Sequence, residues 1–579
     1  MTKHLARLIE AAASGRAPLV FKNARVVNVY THEILKADIA VIDGLIAGVG
    51  EYEGEKEIDL QGKVVIPGLI DAHVHIESSM VTPRRYAEAV LPLGVTSVIT
   101  DPHEIANVAG SEGIRYMLDA SEGIPLTVYI MLPSSVPATP EEEAGASLSA
   151  ADLAPFLPEP RVLGLAEVMN VPGLLAADED VLAKLEMAKD QVIDGHAPGF
   201  TGNDLNAYVA AGVMTDHECQ TEEEMIERLR LGQYVLMREG TAAKNLTHLM
   251  GAVTDQNLNR VLLCTDDRDA HSLLNEGAVD YAVRLLIKEG MDPIKAVRMA
   301  TINTSEAYGL KTKGAIAPGK EATFAVLDDL DTFKVKDVYV RGEQVSADGK
   351  IMNALQPERE VAEKIGDVQV NVPDEEDLRI TIESEQAHVI GLKQASLETD
   401  LLVESIGDVG SDFQPDKERS LLLVLERYGN SGNRGLGIIK GYGIQGGAIA
   451  QTIGHDSHNM IVVGDNAPDM IRAVNLLVEQ AGGIVLVKEG KKLAGLPLEI
   501  GGLMTDKPLT EVDERAADLY QAAREQLNIP ETVDPFVALS FMSLPVIPAL
   551  KLTTKGLFDV VSFKHIPLIN TDAAGTGGR

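Results

Sequence analysis

His73 and His75 stand two residues apart at the end of an apolar run, IPGLIDAHVHI. On a strand, that spacing points both imidazoles to the same side, which makes a ready site for a divalent cation. A pair of hydrogen-bonded core histidines is the plainer reading. Asp71, two residues earlier, could orient an imidazole or could face the wall of the fold. Glu167 ends a second apolar run, VLGLAEV. A carboxylate buried there needs a cation or several donors, so it could bridge two metals or form an ion pair at a rim. His196 and His217 end VIDGH and GVMTDH, and Asp266 closes VLLCTDD. A carboxylate at Asp266 can bind a metal and exchange a proton with its water, whereas Asp267 would point the other way. His103 follows VTSVITD inside Asp101-Pro-His-Glu. Taken singly, each histidine is as readily a capping or rim residue.

The elements that must position these residues alternate. From 67 to 310, β-rich runs end at His75, Asp101, Met131, Glu167, His196, His217, Arg238 and Asp266, and helical patterns such as EEEMIERLRLG follow them. Eight βα units in about 240 residues predict a (β/α)8 TIM-like barrel, whose chemistry sits at the C-terminal ends of its strands. An open doubly wound sheet would show a Gly-rich phosphate loop after its first strand, where this chain has His-Val-His-Ile-Glu-Ser-Ser. Neighbouring strands lie ~4.8 Å apart, and closure sets the eighth beside the first. The six groups then converge, and their number and charge suit two divalent ions.

Around the barrel, residues 1–66 hold an amphipathic helix (Leu5, Leu8, Ile9, Ala12) and short strands. Segment 311–355 repeats the β-rich flavour. One small β-sheet domain built from both flanks is expected, two independent hairpin units being the alternative. Residues 353–375 read as a charged linker. Residues 376–579 read as an α+β domain, with DLRITIE, SLLLVLERY, MIVVGD and GGIVLVKEG as strands. The end, TDAAGTGGR, is expected to fray.

Composition narrows the functions. The 579 residues carry 51 Lys+Arg and 87 Asp+Glu, so the net charge is 51 − 87 = −36. That balance argues against nucleic acid and against an anionic membrane surface. Two cysteines, Cys219 and Cys264, exclude a disulfide scaffold and any Cys-x-x-Cys motif. No apolar run is long enough to span a bilayer. The expected compartment is the cytoplasm.

PGLIDAHVH, the split β-rich flanks, and TDD leading into ATINTSEAYGL and KGAIAPGKEATFAVLD resemble the amidohydrolase superfamily. HVHIESSMVTP, TDPHEIANVAG, GLAEVMN, IDGHAPG, TDHE, CTDDR and GYGIQGGAIAQTIGHDSHNMIVVG resemble, within it, the bacterial adenine deaminase family with its dinuclear metal centre. The resemblance implies hydrolysis of adenine, a small-molecule substrate, to hypoxanthine and ammonia, with a metal-activated hydroxide attacking C6. It implies manganese or ferrous iron, with zinc as a further option. His73, His75, Glu167, His196, His217 and Asp266 would be the ligands. Asp101 would shuttle protons beside Glu167 and Asp266, and His103 would lie behind the ligands or bind an additional ion. Glu77, Ser78, Ser79, Asn107 and Arg268 follow strand ends and could read the purine edge. Arg84 and Arg85 could suit an anion, and His455 with His458 could form a lid or a structural turn. A homo-oligomer is the expected assembly.

Two checks do not depend on that likeness. Cyclic-amide hydrolases of the superfamily carry a modified lysine on strand four, where this chain has Glu167. The cytidine-type deaminases use His-x-Glu with Pro-Cys-x-x-Cys, which this chain lacks. The competing readings are another dinuclear amidohydrolase, such as a sugar-amide deacetylase or cyclic-amide hydrolase, and a metal-storing barrel without activity.

Overall fold

The computed structural model describes residues 2–359, 364–394 and 396–570. The C-terminal stretch 571–579, expected to fray, lies outside the described residues. The chain divides into two compact units. The first comprises Met1–Pro102, Tyr116–Ser134 and Ser149–Val361; the second comprises His103–Arg115, Ser135–Leu148 and Ala362–Arg579. Two short pieces of the stretch read as barrel therefore count with the C-terminal unit.

In the first unit the strands Leu69–His75, Val95–Thr100, Thr127–Leu132, Val162–Val168 and Val192–Gly195 pair in parallel, each with the next. Thr215–Asp216, Tyr234–Arg238 and Val261–Cys264 continue the series as a second parallel arc. The ring closes at both seams. Met214 N donates to Ile193 O at 2.8 Å, and Asp266–Asp267 pairs in parallel with the first strand. All seven residues of Leu69–His75 are buried, as are all six of Val95–Thr100. Such unbroken burial belongs to parallel strands covered on both faces. Ile70, Ala72, Ile99, Met131, Ala166, Leu236, Leu262 and Cys264 pack together from six of the strands. The expected barrel is present, and its strands end within two residues of the positions read from the sequence.

The flanks form one sheet. Phe324–Leu327 runs antiparallel to Val64–Pro67, which joins Val335–Val340 and Glu343–Ala347 to Arg16–Asn28 and Glu33–Ile42 in a single nine-stranded sheet. Independent hairpins are thereby excluded. Phe21, Phe324 and Tyr339 meet edge-on or tilted at its centre, with ring centroids 4.8–5.2 Å apart.

The second unit is built on an eight-stranded sheet containing Arg419–Leu425, Met460–Gly464 and Gly483–Lys488, with the helices Ala467–Glu479 and Leu509–Glu525. DLRITIE departs from expectation. Its alternation does bury Leu378, Ile380 and Ile382, but its backbone pairs with the loop at 410–413, leaving an isolated bridge at Thr381 rather than a strand.

Candidate active site

Strand ends of the first unit bring His73, His75, Glu167, His196, His217 and Asp266 together. The Nε2 atoms of His73 and His75 lie 3.2 Å apart. They are 3.3 and 3.1 Å from Asp266 Oδ1. Glu167 presents Oε1 to His75 Nε2 at 3.5 Å, and Oε2 to His196 Nδ1 at 2.7 Å and His217 Nε2 at 3.2 Å. His73 and His217 stack with centroids 4.3 Å apart. Five of these side chains are at most 9% exposed, whereas His196 is 29% exposed and marks the open side.

The backbone holds this geometry. Asp101 O takes the Nδ1 side of the His75 ring at 2.9 Å, which leaves Nε2 facing the cluster. Tyr208 spans strands four and five, its hydroxyl accepting from His196 N and donating to Val168 O. Asp266 has φ +59°, in the left-handed region that L residues avoid at a cost of ~1–2 kcal/mol. The pairing of Asp266–Asp267 with Val74 and His75 holds it there. Asp71 does not act on an imidazole ring. It accepts from the backbone of His73 and from Thr265 N and Oγ1, tying the first strand to the eighth.

Two residues that the sequence reading gave no role complete the electrostatics. Arg238 Nη1 sits 2.5 Å from Glu218 Oε1 and 2.7 Å from Asp266 Oδ2. Glu218 in turn lies 3.7 Å from His196 Nδ1 and 3.5 Å from His217 Nε2. Burial pushes Asp266 upward, but Arg238 and the histidines hold it well below the usual carboxylate range. Burial also works against Glu167, and His196 and His217 hold it low. Burial pulls His196 down, yet Glu218 and Glu167 raise it to about 9. Strand alternation after His217 would have turned Glu218 away, but that strand ends at Asp216, so alternation no longer binds it. Arg238 was detectable as a cation closing the buried strand YVLMR.

The other candidates divide. Ligand atoms of His75, Asp101 and Glu167 lie within 4.8 Å of one another, so Asp101 stands at the cluster. Glu77 is buried, and Ser78 Oγ donates to Asp267 Oδ1 at 2.5 Å. Ser79 Oγ is spent on Ile76 O. Arg268 is fully buried and its guanidinium is committed to Gly277 O, Glu239 O, Gly240 O and Glu276, which leaves it to brace loops. Arg85 pairs with Glu88, and Arg84 reaches Leu355 O. His103 and Asn107 belong to the second unit, where Asn107 Nδ2 donates to His103 O at 3.0 Å. His455 and His458 belong to it too, and both contact Glu104.

Residues 64–345 match the amidohydrolase family, and residues 396–564 match the adenine deaminase C-terminal domain. An adenine deaminase of Nitratidesulfovibrio vulgaris (strain DP4) is 48% identical over 95% of this chain and 96% of its own. One from Geobacillus kaustophilus is 47% identical over 97% and 98%, and one from Bacillus subtilis (strain 168) is 44% identical over 97% and 98%. The barrel, its histidine–carboxylate cluster and near-full-length similarity agree: this chain belongs to the adenine deaminase family of amidohydrolases.

Proposed function

We propose that this chain hydrolyses adenine to hypoxanthine and ammonia, using the cluster at the strand ends as a dinuclear metal centre. The observation that carries the reading is the two-sided carboxylate of Glu167, which faces His75 through Oε1 and His196 with His217 through Oε2. The donor set fits two divalent cations. His73 and His75, with Asp266 Oδ1, form one edge; His196 and His217 form the other; Glu167 joins them. Mixed imidazole and carboxylate donors suit manganese, ferrous iron or zinc, and we assign manganese or iron as the working pair. When bound, the ions supply the Lewis acidity that makes water a nucleophile near neutral pH.

The chain's own groups handle the protons. Arg238 holds Asp266 through Oδ2 and keeps the carboxylate ionised, so Asp266 is the group that takes a proton from the attacking water. Asp101 passes to the departing nitrogen a proton that the attacking water has given up. The C6–O bond forms and the C6–N bond breaks. One water proton leaves with ammonia, and the other ends on the ring nitrogen of hypoxanthine. Glu77 and Ser78 are the groups assigned to the purine edge.

We assign the chemistry to 67–310, of which 103–115 and 135–148 count with the second unit, its support to 1–66 and 311–355, and the family's additional domain to 376–579. A homo-oligomer in the cytoplasm is the assembly we assign. The test is metal analysis of chelated and manganese-reconstituted protein, with adenine loss read by absorbance and ammonia by a coupled assay. Two equivalents of manganese at the strand-end cluster and manganese-dependent ammonia release are expected. Acetate from N-acetyl sugars, with no ammonia from adenine, would establish the deacetylase reading instead.

A further inference from the structure

We propose that the second unit holds a metal site of its own, a single divalent cation bound by Glu104, His455 and His458. Their ligand atoms all lie within 4.8 Å of one another. His455 Nδ1 is 2.8 Å from Glu104 Oε1, and His458 Nε2 contacts Oε2 of the same carboxylate. Glu104 and His458 are buried, and His455 is 17% exposed, which leaves an approach from one side. The rings are held in place. His455 stacks on Phe541 at 4.6 Å, and His458, at φ +50°, is fixed by its N–H to Gly454 O.

The surroundings call for a cation. Asp456 brings a carboxylate oxygen within 4.8 Å of ligand atoms on His103 and Glu104, and Glu142, buried, lies close enough to feel the charge of Asp456. These buried carboxyl groups are faced by His455 and His458, by His103 at 3.5 Å from Glu104 Oε1, and on the far side of His458 by the guanidinium of Arg427. It donates to His458 O and Gly501 O, which are carbonyls rather than carboxylates. A buried carboxylate is costly unless a cation or several donors meet it, and a divalent ion at Glu104 would meet that cost together with the two imidazoles. Two imidazoles and one carboxylate form the donor set of three-ligand zinc sites that keep a further position open, and calcium or magnesium would want more oxygen. The class assigned is therefore a borderline ion such as zinc.

The alternative is a hydrogen-bonded triad in which both imidazoles donate to Glu104. Gly454 N–H points to His458 Nδ1 at 3.3 Å, the contact that this tautomer makes. A metal on Nε2 requires the proton on Nδ1, so loading must break it. That opposition makes the proposal decidable. Full-length protein is stripped with chelator and reloaded with Zn2+. Diffraction at the zinc edge should place an anomalous peak ~2.0–2.2 Å from all three ligands. The His455→Ala/His458→Ala variant should lose one equivalent of zinc and that peak. The barrel variant His196→Ala/His217→Ala should keep the peak, so failure here and failure of the barrel reading are read separately. Glu104→Gln, nearly the same shape, should lose the same equivalent and stands in if the double variant does not fold. No peak in zinc-loaded wild type, or unchanged zinc content in Glu104→Gln, overturns the proposal.

Discussion

Around the strand-end cluster of the first unit, buried charges share partners. Arg238 reaches Glu218 and Asp266 at once, Glu218 reaches back to His196 and His217, and Glu167 touches three histidines. In the second unit, Glu104 also gathers histidines, but buried charges nearby and elsewhere rest on backbone carbonyls. Arg427 donates to His458 O and Gly501 O, and Lys551, fully buried, donates to Leu397 O at 2.9 Å. A shared ionic network fixes several side chains relative to one another. A charge held by a carbonyl fixes only itself. The first arrangement suits a reaction centre, where geometry must survive a change of charge.

The largest expected effect lies at the centre of that network. Asp266→Asn keeps the shape and an oxygen for a metal but removes the base. Turnover should fall ~10²–10⁴-fold, the range for a positioned proton acceptor. Steady-state kinetics with bound metal quantified would check it, and near-normal turnover at full metal content removes Asp266 from the mechanism.

Arg238→Met comes next. It leaves Glu218 and Asp266 buried and facing each other without their shared cation. Breaking a buried pair in this way costs ~3–5 kcal/mol. Thermal unfolding should show a large loss, and Asp266→Asn combined with Arg238→Met should be less destabilised than the sum of the two. Strict additivity would mean that the carboxylates are not coupled through Arg238, and the contrast between the units would lose its basis.

The network explains what the sequence could and could not show. His73, His75, Glu167, His196, His217 and Asp266 were legible because each closes an apolar run, and strand order alone predicts where such ends meet. Glu218 was hidden because it follows a strand only two residues long, Thr215–Asp216, past whose end alternation carries no information. Arg268 looked like a substrate group from its place after CTDD, but its partners, Gly240 and Gly277, come from loops whose paths no local pattern encodes. The eight strands were legible for the opposite reason: burial on both faces writes itself as continuous apolar runs. DLRITIE carried a true burial pattern and a false pairing, since alternation records which face is buried and not what the backbone bonds to.

Lys551 tests the other half of the contrast. Burial lowers it to about 7, with the charge of Glu398 partly opposing. The unfolded chain keeps its proton up to about 10.5, whereas the folded chain releases it near 7. Between those values the unfolded state binds more protons, so stability rises with pH. Lys551→Met should therefore stabilise the second unit below pH ~7, by ~1–3 kcal/mol, with the gain shrinking as pH climbs toward 10.5. Denaturant unfolding at pH 6 and pH 9.5 would read it. A gain equal at both values would show that the ammonium is not the source of the cost.

The smallest effect should come from Thr265→Val, which removes one donor from a carboxyl group that has others. Asp71 is pushed up to about 7, chiefly by burial, with Thr265 Oγ1 and the backbone N–H groups of Thr265 and His73 pulling it back. Losing the hydroxyl at 2.6 Å leaves the two backbone donors, so the loss should stay near ~1 kcal/mol. Its direction with pH is also set. With less support for the charged form, Asp71 should hold its proton to higher pH, and the destabilisation should be larger above pH 7 than at pH 5. Thermal melts across that range, with hydrogen exchange on Leu69–His75 and Val261–Cys264, would check it. A loss of several kcal/mol would mean that the partners in this unit do not substitute for one another, and that the first unit's network is no more robust than the single bond beneath Lys551.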